Sequence, residues 1–109
     1  MIWLLGILAL AAPKRTPQLI ERGRNAYAIW CIACHGETGA GDGPTAQTLN
    51  PRPRNFATGK FKQGSRGEQV YRTLRTGVPG SAMVGYQRLS DEDRWALAYY
   101  VLELKAGRK

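Results

Sequence analysis

The chain has 109 residues with 16 Lys+Arg against 8 Asp+Glu, a formal net charge of +8 and a sequence pI near 10.0. Such a length fits one small domain, which buries only about 60–65% of the surface its unfolded chain exposes and so gains from an internal staple or a bound group. The basic residues are scattered from Lys14 and Arg15 to Lys105, Arg108 and Lys109, with no basic helix face or aromatic-basic motif, which argues against a nucleic-acid binder.

Residues 2–12, IWLLGILALAA, carry no charge, and Lys14 and Arg15 follow at once. As a helix this run spans roughly 17 Å, short of the ~30 Å hydrocarbon core, so alone it does not cross a bilayer. It reads either as an export leader, with the small residues ALA at 9–11 as a cleavage site, or as a membrane anchor that is partly embedded or continued elsewhere. A leader would ordinarily carry its basic residues before the apolar run. Both readings make residues 13–109 a domain that lies outside the cytoplasm.

The pattern over residues 16–32 predicts the first helix of that domain. Thr16 caps it, Pro17 suits its first turn, and Leu19, Ile20, Gly23, Ala26, Tyr27 and Trp30 follow helical spacing. From Gly36 to about Gly67 the chain is rich in glycine and proline and lacks periodicity, apart from a short turn expected at residues 44–49. A stretch this long in so small a domain ordinarily wraps something. A second helix is expected at about residues 67–76, with Val70, Tyr71 and Leu74 inward and Gly77 and Pro79 ending it. The segment GVPGSAMVG, residues 77–85, then reads as a tight loop.

The last helix follows Ser90 as N-cap, with Asp91, Glu92 and Asp93 in the first turn where they complement the helix dipole. Its apolar positions fall on two arcs, Leu97, Tyr100, Val101 and Leu104 on one and Trp95, Ala98, Tyr99 and Leu102 on the other. A helix apolar on both sides is either sandwiched inside the fold or touches a partner.

CIACHG, residues 31–36, holds both cysteines and the only histidine of the chain. A bare C-x-x-C also fits a redox dithiol, half a zinc site or a short disulfide. The dithiol reading wants a βαβ context, which is lacking. A zinc site wants four Cys and His ligands where the chain has three, and a disulfide has no use for His35. Two thiols about one helical turn apart, with a histidine immediately after, match covalent attachment of a c-type haem: the thiols add across two vinyl groups on one porphyrin edge and the imidazole meets the iron. Met83, apart from Met1 the only methionine, lies in the loop bracketed by Gly80 and Gly85 and is the expected second axial ligand. A lone methionine is otherwise a core filler, and a Lys or Tyr ligand or an open site are the alternatives.

With these residues in place, the stretch from about Gln18 to Leu104 resembles a class I monohaem c-type cytochrome, His/Met ligated, of the periplasmic or membrane-complex-associated type. The resemblance rests on Gly23, Tyr27, Cys31, Cys34, His35 and Gly36, on the glycine-rich turn ending at Gly43-Pro44, on GVPGSAMVGY and on LSDEDRWALAYYV. It implies an all-α, small cytochrome c fold of three main helices, with long Gly/Pro-rich loops wrapped around one covalent haem. It further implies that Gly23 lets the first helix cross closely over the last near Tyr100, and that the Pro44 carbonyl accepts the bond from the His35 ring N–H, which fixes the ring. Met83 is carried over as the sixth ligand, with Val84 where many members have a second proline. NPRPRNF, residues 50–56, resembles a loop near the haem propionates, where Arg52, Arg54 and Asn55 would hydrogen-bond; exposed arginines are the plainer reading.

The function expected is electron transfer by one haem c, without catalytic residues, between a membrane or dehydrogenase donor and a higher-potential acceptor. The alternatives are a fixed haem subunit of a larger respiratory or photosynthetic complex, and a haem enzyme or sensor in which Met83 is released. The expected partners are redox proteins with an acidic docking surface, toward which the positive charge would steer the chain, and a membrane contacted through residues 1–12. No nucleic acid is expected.

Overall fold

The computed structural model describes residues 11–108. Residues 1–10, most of the apolar segment read as leader or anchor, lie outside that range. Among the described residues no helix is long and apolar enough to cross a membrane.

Helix α1 spans Pro17–Trp30. Thr16 Oγ1 accepts from the Leu19 N–H at 3.1 Å, and Pro17 occupies the first turn, where its missing donor costs nothing. Leu19, Gly23 and Tyr27 recur every fourth residue and form its buried stripe. The helix stops two residues before the expected end. Cys31 leaves helical geometry, and a separate turn, α2 (Ile32–His35), follows. The chain then runs through a loop holding a 3₁₀ turn at Ala46–Thr48. Helix α3 spans Gly67–Thr76; at its start the Arg66 N–H donates to Gln69 Oε1 at 3.0 Å. Helix α4 spans Asp91–Lys105, capped by Ser90 Oγ, which accepts from the Asp93 N–H at 3.1 Å. No strand is present among the described residues, and the architecture is the all-α one expected.

Both apolar arcs of α4 are used internally. Leu97, Ala98, Tyr100, Val101 and Leu104 pack with Tyr27 of α1 and with Val70 and Leu74 of α3, while Ala96 and Tyr99 pack with Leu19. Trp95 stacks on Tyr71 of α3, centroids 4.3 Å apart. Of the two alternatives for a doubly apolar helix, the sandwiched one holds, because residues of α1 and α3 pack against both arcs.

The closest approach is between α1 and α4. A Cβ placed on Gly23 would collide with the Ala96 carbonyl oxygen and stand 2.9 Å from Tyr100 Cβ, so the helix axes meet where a side chain is absent. Exposed ion pairs from Arg22 to Glu92 and Asp93 span the same pair of helices and add little in water. At the other end of α4, Glu103 binds Arg15, which precedes α1, and Arg108, which follows α4. The Tyr99 hydroxyl donates to the Pro13 carbonyl at 2.7 Å, so the chain entering α1 lies along α4.

Two outcomes follow. Gly23→Ala forces the helices apart and should cost about 3 kcal/mol, read as a lower urea midpoint with unchanged slope. The Glu103 carboxyl is held below the usual carboxylate range, chiefly by the Arg108 guanidinium that donates to both its oxygens, with Arg15 adding to the effect. A carboxyl depressed in the folded state stabilises above its unfolded pKa and loses that contribution as pH falls through the folded value. Glu103→Gln should therefore flatten the acid side of the stability-against-pH curve, measured by urea titration from neutral pH down through the carboxylate range.

Candidate haem site

The end of α1, α2, the loop from Leu49 to Gly64, α3 and the loop after it enclose a cavity of roughly 350 Å³. Its lining includes Cys31, Cys34, His35 and Met83 together with Phe56, Phe61, Val70, Leu74 and Val101. Four chemistry-bearing side chains thus meet in a mostly apolar space, the ordinary make-up of a cofactor site.

Local hydrogen bonding places the first three. The Tyr27 hydroxyl, buried between Phe56 and Tyr100, donates to the Gly36 carbonyl at 2.6 Å, tying α1 to the residue that follows His35. Burial pushes the Tyr27 phenol above its ordinary pKa, so the donor keeps its proton. The loop after α2 folds back on that helical turn: the Gly43 N–H donates to the Cys34 carbonyl and the Thr45 N–H to the Ala33 carbonyl, both at 3.0 Å.

Both cysteines are free thiols. Burial pushes the Cys31 thiol up to about 12, with Cys34 contributing. A redox dithiol needs the opposite shift, toward a thiolate near neutral pH, so that reading loses its chemistry here. No group of three or more His, Cys, Asp or Glu side chains among the described residues could cage a metal, which removes the zinc reading. Two thiols beside an imidazole, on one wall of an apolar cavity, fit the attachment of a haem.

The His35 ring is held differently from what the resemblance implies. His35 Nδ1 lies 3.1 Å from the Arg54 carbonyl oxygen, whereas Pro44 is exposed and does not line the cavity. The bond expected from the Pro44 carbonyl is therefore corrected to Arg54. The cause is the path of the chain. Gly43 and Thr45 are bound to α2 carbonyls, while the segment carrying Arg54 passes the imidazole, pinned by the Phe56 N–H donating to Gly39 at 2.7 Å. Phe56 then stacks on the His35 ring, centroids 4.6 Å apart. A carbonyl only accepts, so Nδ1 carries the proton and Nε2 keeps a free lone pair. Burial lowers the His35 pKa against the raising effect of that hydrogen bond, and the neutral ring a metal requires is favoured.

Arg52 and Arg54 line the cavity and are exposed. Asn55 does not line it: its side-chain oxygen accepts from the Ala57 and Thr58 N–H groups at 2.9 and 3.3 Å, closing its own turn. Its oxygen is used in that turn, and the residue stands outside the cavity lining.

Met83 is half-buried in a loop tied at several points to itself and to α3. Its carbonyl accepts from the Val78 N–H at 3.0 Å, its N–H donates to Ser81 Oγ at 3.1 Å, and Ser81 Oγ donates to the Val78 carbonyl at 2.7 Å. Gly77 turns the chain out of α3 at φ +79°, and a Cβ there would stand 2.7 Å from the Met83 carbonyl oxygen. Val84, where a second proline would stiffen the loop, is exposed, and hydrogen bonds provide the restraint instead. Phe56 is the site residue that sequence reasoning missed. A lone phenylalanine at the end of NPRPRNF was the available signal, but only its polar neighbours were weighed.

A helical shell around an apolar cavity, with paired thiols, an oriented imidazole and a thioether, defines a haem-attachment protein. The model of the cytochrome c family matches residues 20–105, and the chain belongs to that family. It carries haem c bound covalently through cysteine and is an electron-carrier domain. It is 28% identical over 102 residues to the Cbb3-type cytochrome c oxidase subunit CcoP of Azospirillum brasilense, covering 94% of this chain and 34% of that protein. Among solved structures it resembles a chain of the Kuenenia stuttgartiensis reducing HAO-like protein complex, with TM-score 0.80 and 36% identity over 87% of this chain and 47% of that one. The chain thus spans about a third and about half of these two relatives.

Replacing Tyr27 with Phe leaves the buried Gly36 carbonyl without its donor and should lower holoprotein stability by about 1–2 kcal/mol, measured by urea denaturation.

Proposed function

We propose that His35 and Met83 are the two axial ligands of one haem c held through Cys31 and Cys34, and that the chain relays single electrons on the outer side of a membrane. The observation that supports this most is convergence. Side chains from α2 and from the loop after α3, far apart in sequence, line one cavity. When bound, the haem supplies a one-electron iron couple whose potential is raised by a thioether ligand and an apolar wall. The chain's own residues hold and shield it. Cys31 and Cys34 fix its edge, the Arg54 carbonyl orients His35, and Phe56, Phe61, Leu74 and Val101 exclude water. Arg52 and Arg54 stand where they would meet its carboxylates.

With both axial positions taken, no place for a substrate is left, so in this reading the chain is not itself an enzyme. Electrons would arrive from a quinol-linked or dehydrogenase donor and leave for a higher-potential acceptor with an acidic docking surface. Residues 1–12, as leader or anchor, would deliver the domain formed by residues 13–109 to the periplasmic or outer membrane face.

A second reading, a permanent subunit of a larger redox assembly, is favoured by the relatives, which are named as a subunit and a complex. It is also favoured by large apolar side chains left exposed, Ile29 at 72%, Val84 at 61% and Trp30 at 49%.

The ferric holoprotein should show the red-region absorption band of methionine-to-iron coordination and bind cyanide slowly, and Met83→Ala should remove the band and speed cyanide entry. Rapid cyanide binding by the unaltered protein, with no such band, would overturn the closed-site reading in favour of an enzyme or sensor with releasable methionine. For a free carrier, electron transfer to an acidic acceptor should slow steeply with salt; a salt-independent rate with stable co-purification marks the fixed subunit.

A further inference from the structure

Arg94 is the one charged residue in the buried set among the described residues, at 7% exposure. It stands in the first turns of α4 and does not line the cavity. Its Nη1 donates to the carbonyls of Tyr86 (2.7 Å) and Leu89 (2.5 Å), and its Nη2 to Asp91 Oδ1 (2.6 Å). Its Nε–H finds no acceptor among the described residues. A buried guanidinium with an orphan donor is costly, and what offsets the cost is this set of charge-assisted bonds, two of them to backbone outside the helix.

Tyr86, which receives one of them, is a junction. Its N–H donates to the Leu74 carbonyl of α3 at 2.7 Å, its hydroxyl to the Trp30 carbonyl of α1 at 3.3 Å, and its own carbonyl accepts from Arg94 of α4. All three helices therefore fasten one residue, three positions beyond Met83. Between Met83 and Tyr86 lie only Val84 and Gly85, too few to take up slack if the junction loosens.

We propose that Arg94 is a positioning residue for the distal loop: its guanidinium, joining the Tyr86 and Leu89 carbonyls to Asp91, sets how readily Met83 leaves the iron. The inference rests on the reading of Met83 as a ligand. It assigns to a residue outside the cavity a control over ligand release that the loop's own bonds do not supply, because those bonds tie Met83 to Val78 and Ser81, which move with it. Lysine at this position would keep the charge but lose the fork that spans two carbonyls and a carboxylate at once.

Imidazole is the probe. At saturating imidazole the rate of its binding to the ferric holoprotein is limited by Met83 release, and stopped-flow absorption reads it while circular dichroism reports the fold. Arg94→Met should raise that limiting rate about tenfold or more, the equivalent of one charge-assisted bond, and Arg94→Lys should fall between it and the unaltered protein. Glu103→Gln, which weakens the ion pairs at the far end of α4 without touching the loop, should leave the rate within about twofold after allowance for any unfolded fraction.

Wild-type limiting rates in both folded Arg94 variants overturn the proposal, as does an equal acceleration by Glu103→Gln, which would mark general loosening. If Arg94→Met does not fold, Arg94→Lys alone decides. Met83→Ala separates the two levels. If it leaves the red-region band and the imidazole rate unchanged, the ligand reading fails. If it removes both the band and the rate limit while the Arg94 variants behave as wild type, only the role of Arg94 fails.

Discussion

The missing side chain at Gly23 permits the contact on which the rest of the molecule depends. It lets the α1 backbone lie against Ala96 and Tyr100 of α4, and that crossing fixes where the following turn of α1 points. One turn on, Tyr27 comes to rest between Tyr100 and Phe56 with its hydroxyl on Gly36. Cys31, Cys34 and His35 inherit their positions from that anchor. A wider crossing would move the paired thiols and the imidazole together, since α2 is a single turn without a fully buried residue, held by the half-buried Ile32 against the core and by the loop that folds over it.

The two sides of the cavity are built by different means. The histidine side is held by aromatic packing and short backbone bonds: Phe56 stacks on the ring, its N–H is bound by Gly39, and Lys105 from the end of α4 donates to its carbonyl at 3.1 Å. On the methionine side no side chain of residues 78–90 is fully buried; Met83, Tyr86 and Leu89 are half-buried against the core, and hydrogen bonds among loop residues add to that hold, with Tyr86 tied to all three main helices. Packing is lost only when the core opens, whereas a hydrogen-bonded exposed loop can open locally. The Met83 side is thus the one that can open without disturbing the fold, and α4 is the common frame, touching the loop beside His35 at Lys105 and the loop after Met83 at Arg94.

Much of this was legible in the sequence where the signal was local. Thr16 with Pro17, Gly67 through Gly77, and Ser90 before three acidic residues marked the helices within a residue or two. The exception is the end of α1, where Cys31 interrupts a pattern whose apolar spacing continues unbroken. The site's cysteines, histidine and methionine were legible by residue type, because each is nearly unique in the chain. What escaped was set by chain path. No spacing rule tells that the Arg54 carbonyl rather than the Pro44 carbonyl meets the imidazole, since that depends on how a loop of irregular backbone crosses beneath α2. The place of Asn55 is set likewise: its side-chain oxygen closes its own turn, a local option open to any asparagine in a loop, and the residue stands outside the cavity lining. Arg94 was hidden among scattered basic residues, although a charge within a helix apolar on both arcs has no solvated face to occupy.

The same physics bears on how such a domain meets its partners. A net charge of +8 spread over the whole surface raises encounter rates with any anionic body, but its field decays over about 8 Å at physiological ionic strength and carries little information about orientation. Orientation has to come from short-range contacts near the cavity. Trp30 lines the cavity, is half-exposed and stands edge-on to Tyr86, while Ile29 precedes it and Val84 projects from the methionine loop. Apolar contact at these side chains would exclude water beside the cavity mouth and press on the loop that holds Met83. Contact at these side chains would therefore be felt by the loop that carries Met83, because Val84 follows it directly and Tyr86, two residues on, is fastened to the Trp30 carbonyl.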